Sequence, residues 1–118
     1  MARALLPHLG LICALGVLFV LPAASADDIK TFELIVKDHS FQPKKLILPA
    51  GERVRLVIKN QDPKPMEFES YDLGREQIVF GNESATVYLG PLEPGSYAFF
   101  DEFRRDSTAG TVVAKPQP

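Results

Sequence analysis

Side chains able to hold a metal ion are gathered in three short stretches of this 118-residue chain. Glu67 and Glu69 flank Phe68 in the run Met66-Glu-Phe-Glu-Ser70, Asp101 and Glu102 close the run Tyr97-Ala-Phe-Phe-Asp-Glu102, and His39 stands two residues before Phe41. Carboxylate oxygens are hard ligands that suit ferric iron, Mn2+ or Ca2+ better than Cu+, while an imidazole suits iron and copper and a thioether suits soft copper. Glu67, Glu102, Asp101, Glu69, His39 and Met66 are therefore the candidate ligands for an iron or copper ion. Each also has a plainer reading. Charge on one face is usual in half-exposed sheets, so Glu67 and Glu69 fit a solvated face with Arg53, Arg55 or Arg104 as ion-pair partners. A lone loop histidine commonly faces water, and an inward methionine commonly fills a core. An inward Asp101 has three ways to avoid an unpaired buried charge: water, Arg104 or Arg105, or a metal.

Other chemistries are poorly represented. No Ser-His-Asp set, zincin motif or phosphate-cradling glycine loop is present. A redox step at a bound metal, such as ferrous oxidation, is the one enzymatic reading left open. Phe99, Phe100 and Phe103 form either a docking patch or part of a core, and the pairs Lys44-Lys45 and Arg104-Arg105 fit a solvated surface. Lys and Arg total 13 against 15 Asp and Glu, so no excess of positive charge exists to displace counterions from nucleic acid.

The first 26 residues are set apart from the fold. Arg3 opens them, Leu9 to Leu21 is an unbroken apolar run, and Ala24-Ser-Ala26 has the small-x-small spacing of a signal peptidase site. The run is shorter than the roughly 20 apolar residues that cross a bilayer. A cleaved secretory signal over 1–26 is expected, with the domain at 27–118 in the periplasm, touching a membrane only through a partner. Removing Arg3 leaves 12 basic against 15 acidic side chains, and removing Cys13 leaves no thiolate or disulfide.

The domain reads as strands. Phe32, Leu34 and Val36 alternate with polar or outward residues, as do Val54, Leu56 and Ile58. Lys45–Leu48, Met66–Tyr71, Glu76–Phe80, Ala85–Leu89, Tyr97–Phe100 and Thr111–Ala114 are rich in β-branched and aromatic residues. Pro49-Ala-Gly51, Asn60-Gln-Asp-Pro63, Gly81-Asn82 and Pro94-Gly95 punctuate them. An all-β antiparallel sandwich or small barrel of about seven to eight strands follows. If Tyr97 and Phe99 face the core, the two-residue period turns Asp101 inward and Glu102 outward.

Phe41-x-Pro43, Pro49-Ala-Gly51, Pro65-Met66, Gly95-x-Tyr97-x-Phe99 and Ala109-Gly-Thr-Val-Val113, in that order, resemble the cupredoxin pattern. The resemblance implies a cupredoxin-like Greek-key β-sandwich. It also implies copper ligands at four positions, where this chain has Met66, Asp101, Arg104 or Arg105, and Thr108. With no Cys and one His after residue 26, a type 1 copper site cannot be built. Met66-Glu-Phe-Glu-Ser70 followed by Glu76, with Phe99-Phe-Asp-Glu-Phe103 and Thr108-Ala-Gly110, is similar to small periplasmic cupredoxin-like proteins and the cupredoxin-like domain of EfeO-type proteins. That likeness implies a role in bacterial iron uptake, binding iron or copper and supporting its oxidation or delivery to an iron permease or other uptake component. Relatives of that kind often place a His where Arg104 stands.

Two functions are carried forward. One is an iron-uptake accessory protein with a carboxylate-rich metal site. The other is a metal-free interaction module that docks a partner protein. Carboxylates within about 5 Å favour the first, because such close like charges raise one another's pKa unless a cation lies between them. Carboxylates spread over the face favour the second.

Overall fold

The computed structural model describes residues 3, 4, 10, 16–21 and 28–118. The expected cleavage site with Ala24 and Ala26, and Cys13, lie outside them. Among the described residues no helix is long and apolar enough to cross a membrane.

Among the described residues, nine strands form two packed sheets. They are β1 (Thr31–Lys37), β2 (Ser40–Gln42), β3 (Lys45–Pro49), β4 (Val54–Asn60), β5 (Met66–Ser70), β6 (Arg75–Val79), β7 (Ser84–Leu89), β8 (Gly95–Asp101) and β9 (Ala109–Lys115). The first sheet runs β2-β1-β4-β7 and the second β3-β9-β8-β5-β6. The chain changes sheet after β2, β3, β4, β6 and β7, which gives the all-β sandwich expected from the sequence. A short 3-10 helix, Glu102–Arg104, links β8 toward β9. The additional strand is β2, whose three residues are too few for a two-residue period to register.

Alternation positions the core. In β4, Val54, Leu56, Ile58 and Asn60 are buried while Arg55, Val57 and Lys59 are half-buried. Phe41 from β2, Phe68 from β5 and Phe99 from β8 meet at the centre, with ring centroids 4.9 Å apart for Phe41–Phe99 and 5.3 Å for Phe68–Phe99. Burying each such side chain contributes roughly 1.5–3 kcal/mol relative to exposure. Gly110 on β9 lies against the Phe99 ring and the Lys44 carbonyl, where any Cβ would collide.

Two pairings depart from the antiparallel expectation. β1 pairs parallel to β4, Thr31 opposite Arg55 through Val36 opposite Asn60, and β3 pairs parallel to β9, Lys45 opposite Thr111 through Pro49 opposite Lys115. Hydrophobic alternation reports which face a residue takes and is silent on strand direction. Direction here is set by crossovers between sheets.

The β1–β2 connection is a two-residue turn. Asp38 and His39 both have positive φ, 49° and 58°, as a type I′ hairpin requires. Asp62 holds this turn from the β4–β5 loop. Its carboxylate accepts from the backbone N–H groups of Asp38 at 2.8 Å and His39 at 3.0 Å. Asn60 braces that loop in turn, its amide donating to the Lys64 and Val79 carbonyls while its side-chain oxygen accepts from the Asp62 N–H.

Candidate metal centre

The four positions that the cupredoxin pattern assigns to copper ligands lie together at one end of the sandwich. Met66 is packed into the core at 1% exposure. Asp101, inward beside Phe99, is fully buried. One of its carboxylate oxygens accepts from the backbone N–H of Glu67 at 3.1 Å and of Phe103 at 3.0 Å, and the other accepts from Arg104 at 3.3 Å. The Asp101 N–H donates to the Thr108 carbonyl, and the Thr108 hydroxyl donates to the His39 carbonyl. By the resemblance, the Asp101–Arg104 pair thus stands where the thiolate and one imidazole are expected and Met66 where the other is, and type 1 copper does not fit. The three bonds to Asp101 fasten β5, β8 and the 3-10 helix to one another.

A different group of carboxylates has converged on the outer face of the second sheet. β5 lies between β8 and β6, so Glu69 has Phe100 on one side and Glu76 directly opposite on the other. Glu67, two residues back, shares that face. One oxygen from each of Glu67, Glu69 and Glu76 lies within 4.8 Å of the others. Two oxygens bound to one hard cation are at most about 4–5 Å apart, so small side-chain rotations suffice to close a three-carboxylate site. Glu69 is 91% buried, its residue retaining 9% exposure, and its carboxylate has neither hydrogen bond nor salt bridge among the described residues. The group borders an open hollow of about 370 Å³ lined also by Tyr71 and Glu102.

Electrostatics follow from this crowding. Burial raises the pKa of Glu67, and the charges of Glu76, Glu102 and Asp101 add to the effect. Burial likewise raises Glu69, reinforced by Glu76, Glu67 and Glu102 and opposed by Arg105. None of the arginines named as ion-pair partners reaches the group. Arg53 and Arg55 lie over the Tyr88 ring, at 4.8 and 5.6 Å, and Arg104 is engaged by Asp101.

The structure therefore brings Glu67 and Glu69 together and sets the other candidates apart. Glu102 borders the hollow, but its carboxylate is bound by Arg105 at 2.8 Å. His39 belongs to the turn described above, with Nδ1 3.5 Å from Asp62, and lines a separate hollow with Asp38, Pro63 and Lys64. Glu76, quoted as part of a resemblance but not as a ligand, completes the group. Its signal lay in register: pairing Met66–Ser70 with Arg75–Val79 across the four-residue turn ending at Gly74 sets Glu69 opposite Glu76.

The family described as a cupredoxin-like domain matches residues 10–114 of the chain. An uncharacterized protein of Rickettsia prowazekii (strain Madrid E) is 39% identical over 92 residues, covering 78% of this chain and 74% of its own length. Among solved structures, auracyanin A, a "blue" copper protein of Chloroflexus aurantiacus, superposes with a TM-score of 0.62 at 16% identity, over 72% of this chain and 98% of that one. The metal binding domain of the Streptococcus pneumoniae D39 Cu(I) exporting P-type ATPase superposes with a TM-score of 0.65 at 14% identity, over 78% and 91%. At these identities the two superpositions speak for the fold alone.

Proposed function

The chain belongs to the cupredoxin-like family, and from that premise we propose that it is an exported member in which a carboxylate site has replaced copper–thiolate chemistry. Glu67, Glu69 and Glu76 bind a hard cation, ferric iron foremost, and the protein serves periplasmic iron uptake by passing that ion to a membrane permease. The observation that supports this reading is the convergence on Glu69, a residue with 9% exposure, of two more carboxylates, one oxygen of each of the three lying within 4.8 Å of the others. A cation supplies the missing counter-charge. Copper, bound by the auracyanin and the exporter domain, would here meet only oxygen donors, which favour the harder ion.

Thermal unfolding with and without Fe3+, Mn2+, Ca2+ and Cu2+ tests the site, comparing the native chain with Glu67→Gln combined with Glu69→Gln. Binding at a hundred times Kd stabilises the native state by about 2.7 kcal/mol. The native chain should show the rise in melting temperature and the double variant should lose it. If both respond alike, the ion binds elsewhere and the carboxylate site falls; if neither responds, the reading of a metal-free docking module takes its place. That second reading draws on the exposed Phe80 and Phe103, at 61% and 49% exposure. Export is tested by the N-terminus of the periplasmic species, expected at Asp27; a species retaining Met1 refutes it.

A further inference from the structure

The arginines of the domain are of two kinds. Arg104 and Arg105 are ion-paired, to Asp101 and Glu102. Arg53, Arg55 and Arg75 have no carboxylate within ion-pair reach among the described residues, and all three converge on Tyr88. Strand register brings them there. Arg55 on β4 stands opposite Tyr88 on β7 and opposite Thr31 on β1, so the three form one outward row across the first sheet. Arg55 Nε donates to the Tyr88 hydroxyl at 3.4 Å and Nη1 to the Thr31 hydroxyl at 3.2 Å. Arg53, two residues earlier, lies 4.8 Å over the Tyr88 ring, against 5.6 Å for Arg55. Arg75 comes from β6, the edge strand of the second sheet, and its Nε donates to the Tyr88 carbonyl at 3.2 Å. The nearby carboxylates are engaged elsewhere, Glu33 by Lys59 and Glu52 by Lys30. The Tyr88 phenol registers the uncompensated charge: the hydrogen bond from Arg55, then its charge and that of Arg53, hold it below the ordinary 10.0 against the opposing effect of burial.

We propose that this arginine–tyrosine row on the outer face of the first sheet is a docking surface for an acidic protein segment, whose carboxylates are received by Arg53 and Arg55 across the Tyr88 ring. Arginine is the suited cation, because its planar fork binds a carboxylate bidentately and stacks on an aromatic face. Arginine and tyrosine are also the side chains that carry much of the binding energy at protein interfaces. Arg55 is held at two points and Arg53 rests on the ring, so little side-chain freedom is left to lose when a partner arrives. The two arginines start about 6.5 Å apart along an extended chain, a spacing matched by Glu-x-Glu on an extended partner. A lipid surface fits less well, since Thr31 and Thr86 beside the row are polar and give no apolar anchor. The chain after residue 26 carries 12 basic against 15 acidic side chains, so attraction of an acidic partner has to be local to this face. The site is independent of the carboxylate group, which lies on the outer face of the other sheet.

The probe is a fluorescent peptide of alternating Glu and Thr, compared by anisotropy titration with one in which Gln replaces every Glu. Chelator is present throughout, so that no cation bridges the peptide to the carboxylates of the second sheet. The native protein should bind the Glu peptide and not the Gln peptide. Arg53→Gln combined with Arg55→Gln should weaken binding about tenfold or more. Lys44→Gln combined with Lys45→Gln, an equal change in net charge on exposed residues at β3, should leave Kd within about twofold. Failure of the native protein to bind, or an equal loss in the lysine variant, overturns the proposal. So does displacement of the peptide by inorganic phosphate at equal concentration, or arginine-dependent binding to phosphatidylglycerol vesicles in place of the peptide, since a free oxyanion or a membrane would then be the ligand. Arginine-dependent self-association in sedimentation velocity also overturns it, in favour of a second copy of this chain. Melting temperatures of the variants close to native verify that the fold is intact.

Discussion

The crowding of the Glu69 carboxylate by those of Glu67 and Glu76 works against the native state at neutral pH. The raised pKa of Glu69, and that of Glu67, means that the folded chain takes up protons before the unfolded chain does. Without metal, the stability these groups contribute therefore increases as pH falls from neutral through their raised values toward 4.5, the ordinary value reached on unfolding. In chelator, Glu69→Gln should melt about 1–5 °C above the native chain at pH 7. The gap should close as pH approaches 4.5; with a bound cation the order should invert. A gap independent of pH would show that the carboxylates do not interact. Asp101, by contrast, has bonded partners for both of its carboxylate oxygens. Asp101→Asn should cost about 1.5–3 kcal/mol through loss of charge-assisted bonds, and Asp101→Ala somewhat more, since the Glu67 and Phe103 N–H groups and the half-buried Arg104 all lose their acceptor. Denaturant unfolding should give those losses equally with and without metal, whereas a metal ligand would show them only when metal is present.

Among the elements, the β1–β2 turn explains why His39 is where it is. Positive φ at two successive non-glycine residues is held by Asp62, whose carboxyl the His39 N–H above all, and then the Asp38 N–H, keep below its ordinary value of 3.8 against the opposing effect of burial. The stability contributed by Asp62 is present above pH 3.8 and disappears as pH falls through its lowered value. Asp62→Ala, which leaves two turn N–H groups without their acceptor, should cost about 1–3 kcal/mol at pH 7, and the cost should vanish at the acid end of a pH series of unfolding midpoints. None of this was legible in the sequence, where Asp62 marked only a turn and His39 only a loop. The faces of the strands were legible, because period-two alternation depends on local residue type: Phe99 and Asp101 inward and Glu67 with Glu69 on one face all follow from it. Strand order and direction were not, and so Glu76, which enters the candidate site through cross-strand register, was passed over as a ligand while Glu102 was favoured. The occupation of Glu102 depends on a turn of 3-10 helix too short to leave a periodic signal.

For the molecule as a whole, the family fold has been kept while its copper end has been rebuilt as a structural clasp. The native protein mixed with Cu2+ should show no intense visible charge-transfer band of the copper–thiolate kind, since no sulfur of cysteine and no second imidazole is present after residue 26. An intensely blue product on visible spectroscopy would refute the assignment of Asp101 and Arg104 to a closed ion pair. The candidate cation site has moved from the end of the sandwich to the outer face of the second sheet, close enough to share a boundary with the clasp: the Glu67 N–H is bonded to Asp101, so the same peptide that fastens the clasp fixes the first carboxylate of the triad.

β9 occupies the interior of the second sheet, between β3 and β8. β3 therefore has no neighbour within its sheet until β9 arrives, and β8 lacks half of its ladder. The loop closed by the β3–β9 pairing spans most of the domain, and closing it is entropically costly before any contact rewards it. The β3–β9 pair, and with it the complete second sheet, therefore forms only once β9 has docked between β3 and β8, whereas the first sheet has all of its strands without it.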